Sequence, residues 1–302
     1  MEQKKYHLGL DVGGTNLVAG VVDEQYRIVS KCSCPAGAGR SIEEITADMA
    51  AVSRKAVDQA GLTLGDVAYW GIGMPSCVNK NTNLLVHANC FGWRQVPIYD
   101  YLRPLLPLEV KIENDANCAA YGEAIAGAAK GKDNVLMLTL GTGVGGGVII
   151  DGEIYKGADG MGAELGHSKL VFDGEQCTCG QRGCLEAYCS ATALIRHARE
   201  RSGVEMTAKD VFDKAKSGDK VCRMLVDEYI RMLAAGISTF ITIFRPESII
   251  LGGGVANAGD DLFVPLNEEL RKCTFGASEI GVPKVVKAVL GNDAGLIGAA
   301  FL

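Results

Sequence analysis

A short stretch of the sequence holds four residues of types that bind metal ions. His167, Cys177, Cys179 and Cys184 fall within 18 residues, and glycines beside the cysteines allow the chain to fold round an ion. Three thiolates and one imidazole form a donor set that suits tetrahedral Zn²⁺. Because protein atoms would fill all four positions and leave none for water, the spacing predicts a structural zinc site that shapes a loop.

Two glycine-rich segments have the composition of phosphate-binding turns. The first, DVGGTN, covers 11–16, and the second, LGTGVGGG, covers 140–147. Where no Cβ atoms intrude, successive backbone N–H groups can bind phosphate oxygens, and a threonine in each segment adds a hydroxyl donor. A third glycine run, 252–254, follows a short apolar strand. The predicted nucleotide-binding residues are Gly13, Gly14, Thr15, Gly141, Thr142, Gly143, Gly253 and Gly254.

Carboxylates near these segments supply further chemistry. Asp11 ends the first predicted strand and is a hard oxygen ligand suited to Mg²⁺, bound through water. Asp115, in IENDANCAA, lies where a strand gives way to a helix and could deprotonate a hydroxyl that attacks a γ-phosphate. An aspartate at a helix start is also an ordinary N-cap. Further acceptors and donors for the hydroxyls of a polyol are Asn114, Glu164, His167 and Glu186.

The elements that must position these residues include an internal repeat. Segments 7–23 and 135–151 each read as strand, turn and strand, and a shift of 128 residues places Leu10 on Leu138 and Asp23 on Asp151. This spacing is too long for a solenoid repeat. The sequence therefore predicts two similar α/β domains, each opening with a hairpin, whose glycine turns face one another across a cleft.

Helical spacing of apolar residues fills the gaps between the strands. Ser41 is the predicted N-cap of a helix whose apolar stripe runs from Ile42 to Ala56. Alternating strands and helices favour an α/β fold with mixed sheets. The predicted first domain is residues 1–115 with the C-terminal helix 293–302, and the second is 116–292. Further predicted elements are a strand over 248–251 and helices over 115–129, 191–202, 219–244, 260–273 and 293–301.

Composition narrows the class of protein. The chain has 302 residues, 48% hydrophobic and 22% charged, which is typical of a folded globular protein. Its net charge of −6 argues against nucleic acid as the main partner, because phosphate-backbone binding rests on a lysine and arginine excess. No apolar run reaches the length of a membrane span, and no signal peptide is visible. Eleven cysteines in such a chain predict reduced thiols and a cytoplasmic protein.

Six motifs follow one another through essentially the whole chain: DVGGTN, ENDANCAA, LGTGVGGG, GAELGH, CTCGQRGCLE and ILGGGV. Together they closely resemble the ROK family of sugar kinases and repressors, most of all its bacterial glucokinase branch. The resemblance implies an actin-like (ribonuclease H-like) ATPase fold with two domains that close over a hexose and ATP. It also implies a homodimer, and Mg²⁺ and structural Zn²⁺ are the metal ions that the residues themselves predict.

The same resemblance implies roles for individual residues. The aspartate that matches Asp115 is the catalytic base of the family. His167 is expected to serve both zinc and sugar, with one ring nitrogen ligating the metal and the other donating to the substrate. The remaining residues implied to bind sugar hydroxyls are Asn114, Glu164 and Glu186.

Departures from the family pattern bear on the identity of the sugar. Two sugar-binding loops read Met74-Pro75-Ser76 and Ala88-Asn89-Cys90, which makes Ser76 and Asn89 candidate contacts in place of the usual residues. Asn16 stands where many members carry lysine. The predicted reaction is ATP-dependent phosphorylation of a hexose 6-hydroxyl, with glucose the leading substrate. Kinases of N-acetylglucosamine, N-acetylmannosamine, mannose, fructose or allose remain open, as does polyphosphate as the donor.

A sugar-responsive transcriptional repressor is the main rival from another class. That function needs a DNA-binding domain ahead of the first hairpin, and Asp11 lies only ten residues from the start of the sequence. An actin-like filament or chaperone ATPase is a third interpretation. It explains neither the Asn114-Asp115 pair nor the loop with three cysteines and a histidine.

Overall fold

A computed structural model of the protein describes residues 5–37 and 39–302. Within this range the contacts separate two units, each assembled from segments that are distant in sequence. Unit 1 contains the described residues up to 131, together with 153–163 and 292–302. Unit 2 contains residues 132–152 and 164–291. The strap, residues 153–163, thus interrupts unit 2 in sequence and belongs to unit 1.

The strands form where apolar residues alternate or run together, as the sequence predicts for both hairpins. In unit 1 the sheet order is β3-β2-β1-β4-β7, with β1 antiparallel to β2 and parallel to β4. In unit 2 the strands lie in the order β9-β8-β11-β12, and β11 is parallel to both of its neighbours. The strands behind these labels are β1 (Tyr6–Val12), β2 (Asn16–Asp23), β3 (Ile28–Pro35), β4 (Val67–Met74), β5 (Leu85–Ala88), β6 (Trp93–Val96), β7 (Val110–Asn114), β8 (Val135–Leu140), β9 (Val144–Ile150), β10 (Glu153–Ile154), β11 (Ser248–Gly252) and β12 (Lys284–Lys287).

The helices begin and end at recognisable caps. The predicted N-cap Ser41 is confirmed, because its hydroxyl accepts the N–H of Glu44 while the Glu44 carboxylate accepts the N–H of Ser41. Such a capping box stabilises a helix start by about 1 kcal/mol. The helices are α1 (Ile42–Gln59), α2 (Ile98–Leu102), α3 (Asp115–Ile125), α4 (Glu186–Cys189), α5 (Ala191–Ser202), α6 (Ala208–Lys216), α7 (Lys220–Phe244), α8 (Asp260–Cys273), α9 (Ala277–Ile280) and α10 (Ala294–Ala300).

The observed division of the chain differs from the predicted boundary after residue 115. Helix α3 packs closely on α10 within unit 1, so residues 116–131 belong there. Glycines make the close packing possible: a Cβ on Gly122 would lie 2.2 Å from the Ala294 carbonyl oxygen, and one on Gly298 would lie 1.8 Å from the Cys118 oxygen. The strap is the second difference, and no feature of its composition marks it as part of unit 1.

The C-terminal helix α10 is buried along its whole length under the unit 1 sheet. On the facing strands, a Cβ on Gly9 would meet the Leu296 oxygen at 2.2 Å, and one on Gly71 would meet the Ala299 oxygen at 1.8 Å. Only glycine allows the helix backbone to approach the sheet this closely.

Helix α7 is the longest element, at 25 residues. One face is buried and the other carries exposed charges such as Arg223, Asp227 and Arg231. In the part of the chain that the structure describes, neither this helix nor any other combines the length and apolar character that crossing a bilayer requires.

Candidate active site

The first glycine turn joins β1 to β2 in unit 1. The Gly13 N–H donates to the Asn16 oxygen over 2.9 Å, which closes the turn and leaves Gly14, Thr15 and Asn16 exposed. Asp11 lies just before the turn, paired with Val18 of β2. The structure therefore brings the predicted metal ligand and the predicted phosphate-binding groups of this hairpin together.

Asp11 lies in a strongly desolvated position. Burial raises the pKa of its carboxyl from the ordinary 3.8 to about 6, against the opposing charge of Lys31. The α10 backbone contributes to this burial, because a Cβ on Gly295 would lie 3.2 Å from the carboxylate carbon. An ionised carboxylate in such a place is costly unless a cation accompanies it, which suits a metal-binding role.

This burial leads to a prediction about stability. Because the folded pKa of Asp11 exceeds the unfolded value, its ionised form costs stability above pH 6, and the cost vanishes below pH 4. Asp11→Asn is therefore expected to raise the free energy of unfolding by about 1–3 kcal/mol at pH 8 and by much less at pH 4. Urea unfolding at the two pH values measures this. The exposed Asp58→Asn serves as the control, and an Asp11→Asn protein that is less stable at pH 8 would contradict the prediction.

The second glycine turn joins β8 to β9 in unit 2. The Gly141 N–H donates to the Gly143 oxygen over 3.0 Å, and Thr142 is exposed at the tip. Gly253 comes close to the same strand end and has a φ of 82°. A Cβ on Gly253 would lie only 2.5 Å from the Leu140 oxygen, which is too close. Its neighbour Gly254 faces open space. The second turn and the third glycine run therefore meet within unit 2.

The strand-to-helix turn from β7 to α3 presents Asn114 and Asp115. Asn114 is the N-cap: its Oδ1 accepts the N–H groups of Ala116 over 2.9 Å and Asn117 over 3.1 Å. Asp115 is the first helical residue, and its Oδ1 accepts the Ala116 N–H over 2.7 Å. The sequence left open whether Asp115 is an ordinary cap, and the structure gives that role to Asn114.

The loop that carries Asn89 and Cys90 lies beside the first glycine turn. A Cβ on Gly14 would lie 3.0 Å from the Cys90 Cβ. Burial, together with the charge of Asp115, raises the pKa of the Cys90 thiol, so the candidate base lies close to the same loop. Asn89 is exposed at the start of a 3₁₀ turn. Unit 1 thus gathers the predicted phosphate-binding turn, the candidate base and one predicted sugar loop.

Ser76, in the other predicted sugar loop, is buried. Its hydroxyl accepts the His87 N–H over 3.3 Å and donates to the Cys77 oxygen over 3.3 Å. These bonds connect the chain after β4 to β5. Asn89 is therefore the more exposed of the two residues that the sequence proposed as sugar contacts.

The four predicted zinc ligands cluster in unit 2. Their donor atoms all lie within 4.8 Å of one another. The Sγ atoms of Cys179 and Cys184 are 3.8 Å apart, and Nδ1 of His167 is 3.7 Å from the Cys177 Sγ. Ligands about 2.3 Å from a tetrahedral Zn²⁺ stand about 3.8 Å from one another, so this donor set fits zinc.

His167 and Glu164 share one 3₁₀ turn, in which the His167 N–H donates to the Glu164 oxygen over 3.0 Å. The turn packs tightly on β9, since a Cβ on Gly166 would lie 1.9 Å from the Val144 oxygen. Because Nδ1 of the imidazole faces the cysteines, Nε2 points away from them. Glu164 is exposed. The turn therefore places the Glu164 carboxylate three residues before His167, which is itself one of the four clustered donors.

Glu186 connects the metal cluster to the second glycine turn. Its Oε1 accepts the Thr178 hydroxyl and the Cys177 thiol, while its Oε2 accepts the Val144 N–H over 3.0 Å. A Cβ on Gly143 would lie 2.4 Å from that Oε2, so the turn needs glycine there. Glu186 as a whole is 9% exposed.

Glu113 and Lys156 are charged residues to which the sequence analysis gave no role. Glu113 is buried at the end of β7, directly before Asn114, and Lys156 of the strap forms an ion pair with it. The signal that could have identified Glu113 is a carboxylate within the predicted strand VKIEN, directly before Asn114. Nothing in the sequence around Lys156 indicates its partner.

Comparison with known proteins places these features in a family. The profile of the ROK family matches residues 7–302. A glucokinase of Thermotoga maritima is 36% identical over 98% of this chain and 96% of its own length. Among solved structures, a ROK hexokinase from Thermus thermophilus has a TM-score of 0.88 at 34% identity, covering 98% of this chain and 96% of its own. A ROK family glucokinase from Streptomyces griseus, in complex with glucose and AMPPNP, has a TM-score of 0.81 at 34% identity over 98% of both chains.

Proposed function

The chain belongs to the ROK family. We propose that it is an ATP-dependent kinase that phosphorylates the 6-hydroxyl of a hexose, with glucose as its preferred substrate. Its fold is the actin-like ATPase fold that the sequence predicts. The observation that carries the proposal is the turn from β7 to α3, where Asn114 caps the helix and Asp115 is the first helical residue. Glucose and AMPPNP in the Streptomyces griseus relative support the same sugar and donor here.

Asp115 is the proposed base. Its carboxylate orients the 6-hydroxyl and accepts its proton as the oxygen attacks the γ-phosphorus of ATP. The new bond joins that oxygen to phosphorus while the bond to the bridging oxygen breaks, and ADP leaves. Phosphoryl transfer needs little covalent chemistry from a protein, so positioning and electrostatics provide most of the acceleration.

The glycine turns are proposed to hold the phosphates of ATP. Their exposed tips present backbone N–H groups together with the hydroxyls of Thr15 and Thr142. Asp11 is the proposed Mg²⁺ ligand, through water, and the ion when bound neutralises charge on the β- and γ-phosphates. The high pKa of Asp11 supports this role, because a nearby cation compensates a desolvated carboxylate.

The proposed sugar-binding groups are side chains that can accept hydrogen bonds from sugar hydroxyls or donate to them. Zinc in the cluster of His167 and three cysteines would fix the imidazole, so that Nε2 donates to a sugar hydroxyl. Thr178, which lies between two of the cysteine ligands, donates its hydroxyl to Glu186, so the metal loop supports that carboxylate as well. The complete proposed set is Asn114, Glu164, His167 and Glu186, together with Asn89 and Ser76 in two loops of unit 1.

A panel of hexoses tests the proposal directly. With ATP and Mg²⁺, the protein is expected to phosphorylate glucose with a kcat/KM at least about tenfold higher than that for mannose, fructose, allose, N-acetylglucosamine or N-acetylmannosamine. Replacing ATP by polyphosphate tests the donor, and identifying the product as the 6-phosphate tests the position. Absence of phosphorylation on every sugar would overturn the proposal. A preference for one of the amino sugars would change the substrate and leave the reaction intact.

We also propose that the protein works in the cytoplasm as a homodimer. Its eleven cysteines are all free thiols in the structure, which suits a compartment that keeps thiols reduced. The net charge of −6 supports small molecules rather than nucleic acid as partners. The dimer rests on the family resemblance alone, and sedimentation of the purified protein would test it.

A further inference from the structure

Glu113 is a buried carboxylate that holds the turn carrying the proposed base. It is 5% exposed. Its Oε1 accepts the backbone N–H of Asn114 over 3.0 Å and the side-chain Nδ2 of Asn117 over 3.0 Å. These donors flank Asp115 on either side. The position of the base therefore depends on where this carboxylate lies.

A buried charge of this kind needs a partner. Leaving an ionised carboxylate unpaired in a protein interior costs several kcal/mol, and it takes up a proton or turns toward water instead. The partner is Lys156, whose Nζ lies 2.5 Å from Oε2 of Glu113. The two carboxylate oxygens thus have different partners: Oε1 accepts hydrogen bonds from the turn, and Oε2 pairs with the lysine.

The strap holds Lys156 in place by its own contacts within unit 1. The Gly162 N–H donates to the Lys156 oxygen over 2.8 Å, which closes the strap into a loop. The Lys80 N–H donates to the Asp159 oxygen over 2.8 Å, which attaches that loop to the chain after β4. Gly160 lies against the same segment after β4 and has a φ of 89°. A Cβ on Gly160 would lie only 2.9 Å from the Val78 oxygen, which is too close.

We propose that Lys156 is a positioning residue for phosphoryl transfer, acting through Glu113 to fix the turn that presents Asn114 and Asp115. This inference rests on the proposed kinase function. Without the ammonium group, the Glu113 carboxylate loses its counter-charge and turns toward water, and the backbone at Asn114 loses a charged acceptor. Charge-assisted hydrogen bonds are the stronger kind, so the turn loosens at the residue that must meet the sugar hydroxyl.

A cavity beside the ion pair allows a specific test. It has a volume of about 170 Å³ and is lined by Glu113 and Lys156, together with Tyr99, Ile112 and Gly160 among others. Truncating Lys156 to alanine would enlarge it by most of the lysine side chain. A small alkylammonium ion can then enter and take the place of the missing Nζ next to Glu113.

The main experiment compares Lys156→Ala with Lys156→Arg in steady-state kinetics with glucose and ATP. Lys156→Ala is expected to lower kcat about 10- to 100-fold while the KM for ATP stays unchanged, because misplacement of a reacting group costs about that much. Ethylammonium should recover at least a third of the decrease in log kcat of Lys156→Ala. Lys156→Arg should retain more activity than Lys156→Ala. Arg40→Ala, which breaks the Arg40–Asp48 ion pair elsewhere in unit 1, is the matched control. Its kcat should stay at the wild-type value, and ethylammonium should not alter it.

Amide exchange provides a readout that does not depend on catalysis. In the protein without substrates, the N–H groups of Ala116 and Asn117 should exchange about tenfold faster in Lys156→Ala, and ethylammonium should slow them again. If the wild-type protein phosphorylates no sugar, the proposed function fails, and the exchange rates still decide whether Lys156 holds the turn. A folded Lys156→Ala with unchanged kcat would overturn the inference. So would a fall in kcat with no rescue by the amine and no change in exchange at the two amides, since the loss of activity would then not come from a loosened turn.

Discussion

Asp115→Asn is expected to lower kcat for glucose phosphorylation by about 10²- to 10⁴-fold, the usual consequence of losing a general base. Asparagine keeps the size and shape of the side chain but cannot accept the hydroxyl proton. The helix cap should survive, because Asn114 supplies it. Initial rates with saturating ATP measure the loss in kcat, and calorimetric titration with glucose should show that the sugar still binds.

The matched control for this variant is Asp100→Asn, an exposed aspartate of α2 in the same unit. It removes the same charge without touching the turn, and its kcat should stay within about twofold of wild type. An Asp115→Asn enzyme that turns over at the wild-type rate would exclude this carboxylate as the base. A variant that no longer binds glucose would instead make Asp115 a binding residue.

The second large effect is expected from the metal cluster. Cys179→Ser should release zinc and raise the KM for glucose by about 10- to 100-fold, because groups that hold metal ligands and the loop around them commonly contribute that much. The physical route runs through contacts in unit 2: Thr178, between two of the cysteine ligands, donates to Glu186, and His167 belongs to the cluster itself. Elemental analysis of the purified variant measures the metal, and glucose titration measures the affinity.

Cys273→Ser controls for the loss of a thiol, since Cys273 is also exposed in unit 2 but lies outside the cluster. It should keep both its zinc and its affinity for glucose. Full zinc occupancy in Cys179→Ser would remove that cysteine from the ligand set. Loss of zinc with an unchanged KM would separate the metal from sugar binding and limit it to stability.

Local signals explain how much of the fold was predictable. The helices over 191–202 and 260–273 were predicted to the residue, because their apolar periodicity starts and stops cleanly. The two hairpins were predicted because each glycine turn lies between alternating apolar runs. Helix α3 was predicted four residues too long, at 115–129 rather than 115–125, because a run of alanine and glycine resembles helix until packing ends it.

The units and part of the site depend on contacts that no local pattern reveals. Helix α3 belongs to unit 1 because Gly122 lets it approach Ala294, which is remote in sequence. Lys156 reaches Glu113 by the same kind of long-range packing. The metal cluster was accessible to sequence reasoning for the opposite reason: its four ligands lie within 18 residues, so spacing alone brings them together.

The burial of α10 has a consequence for biosynthesis. A ribosome makes β1 and β4 long before it makes the helix that covers them. Until then, the nascent chain exposes an apolar sheet face. Gly9 and Gly71 on that face have no Cβ atoms and leave room for the helix backbone. Unit 1 therefore completes folding only after translation reaches 294–300, and chaperones that shield apolar strands should bind the unfinished chain during that interval.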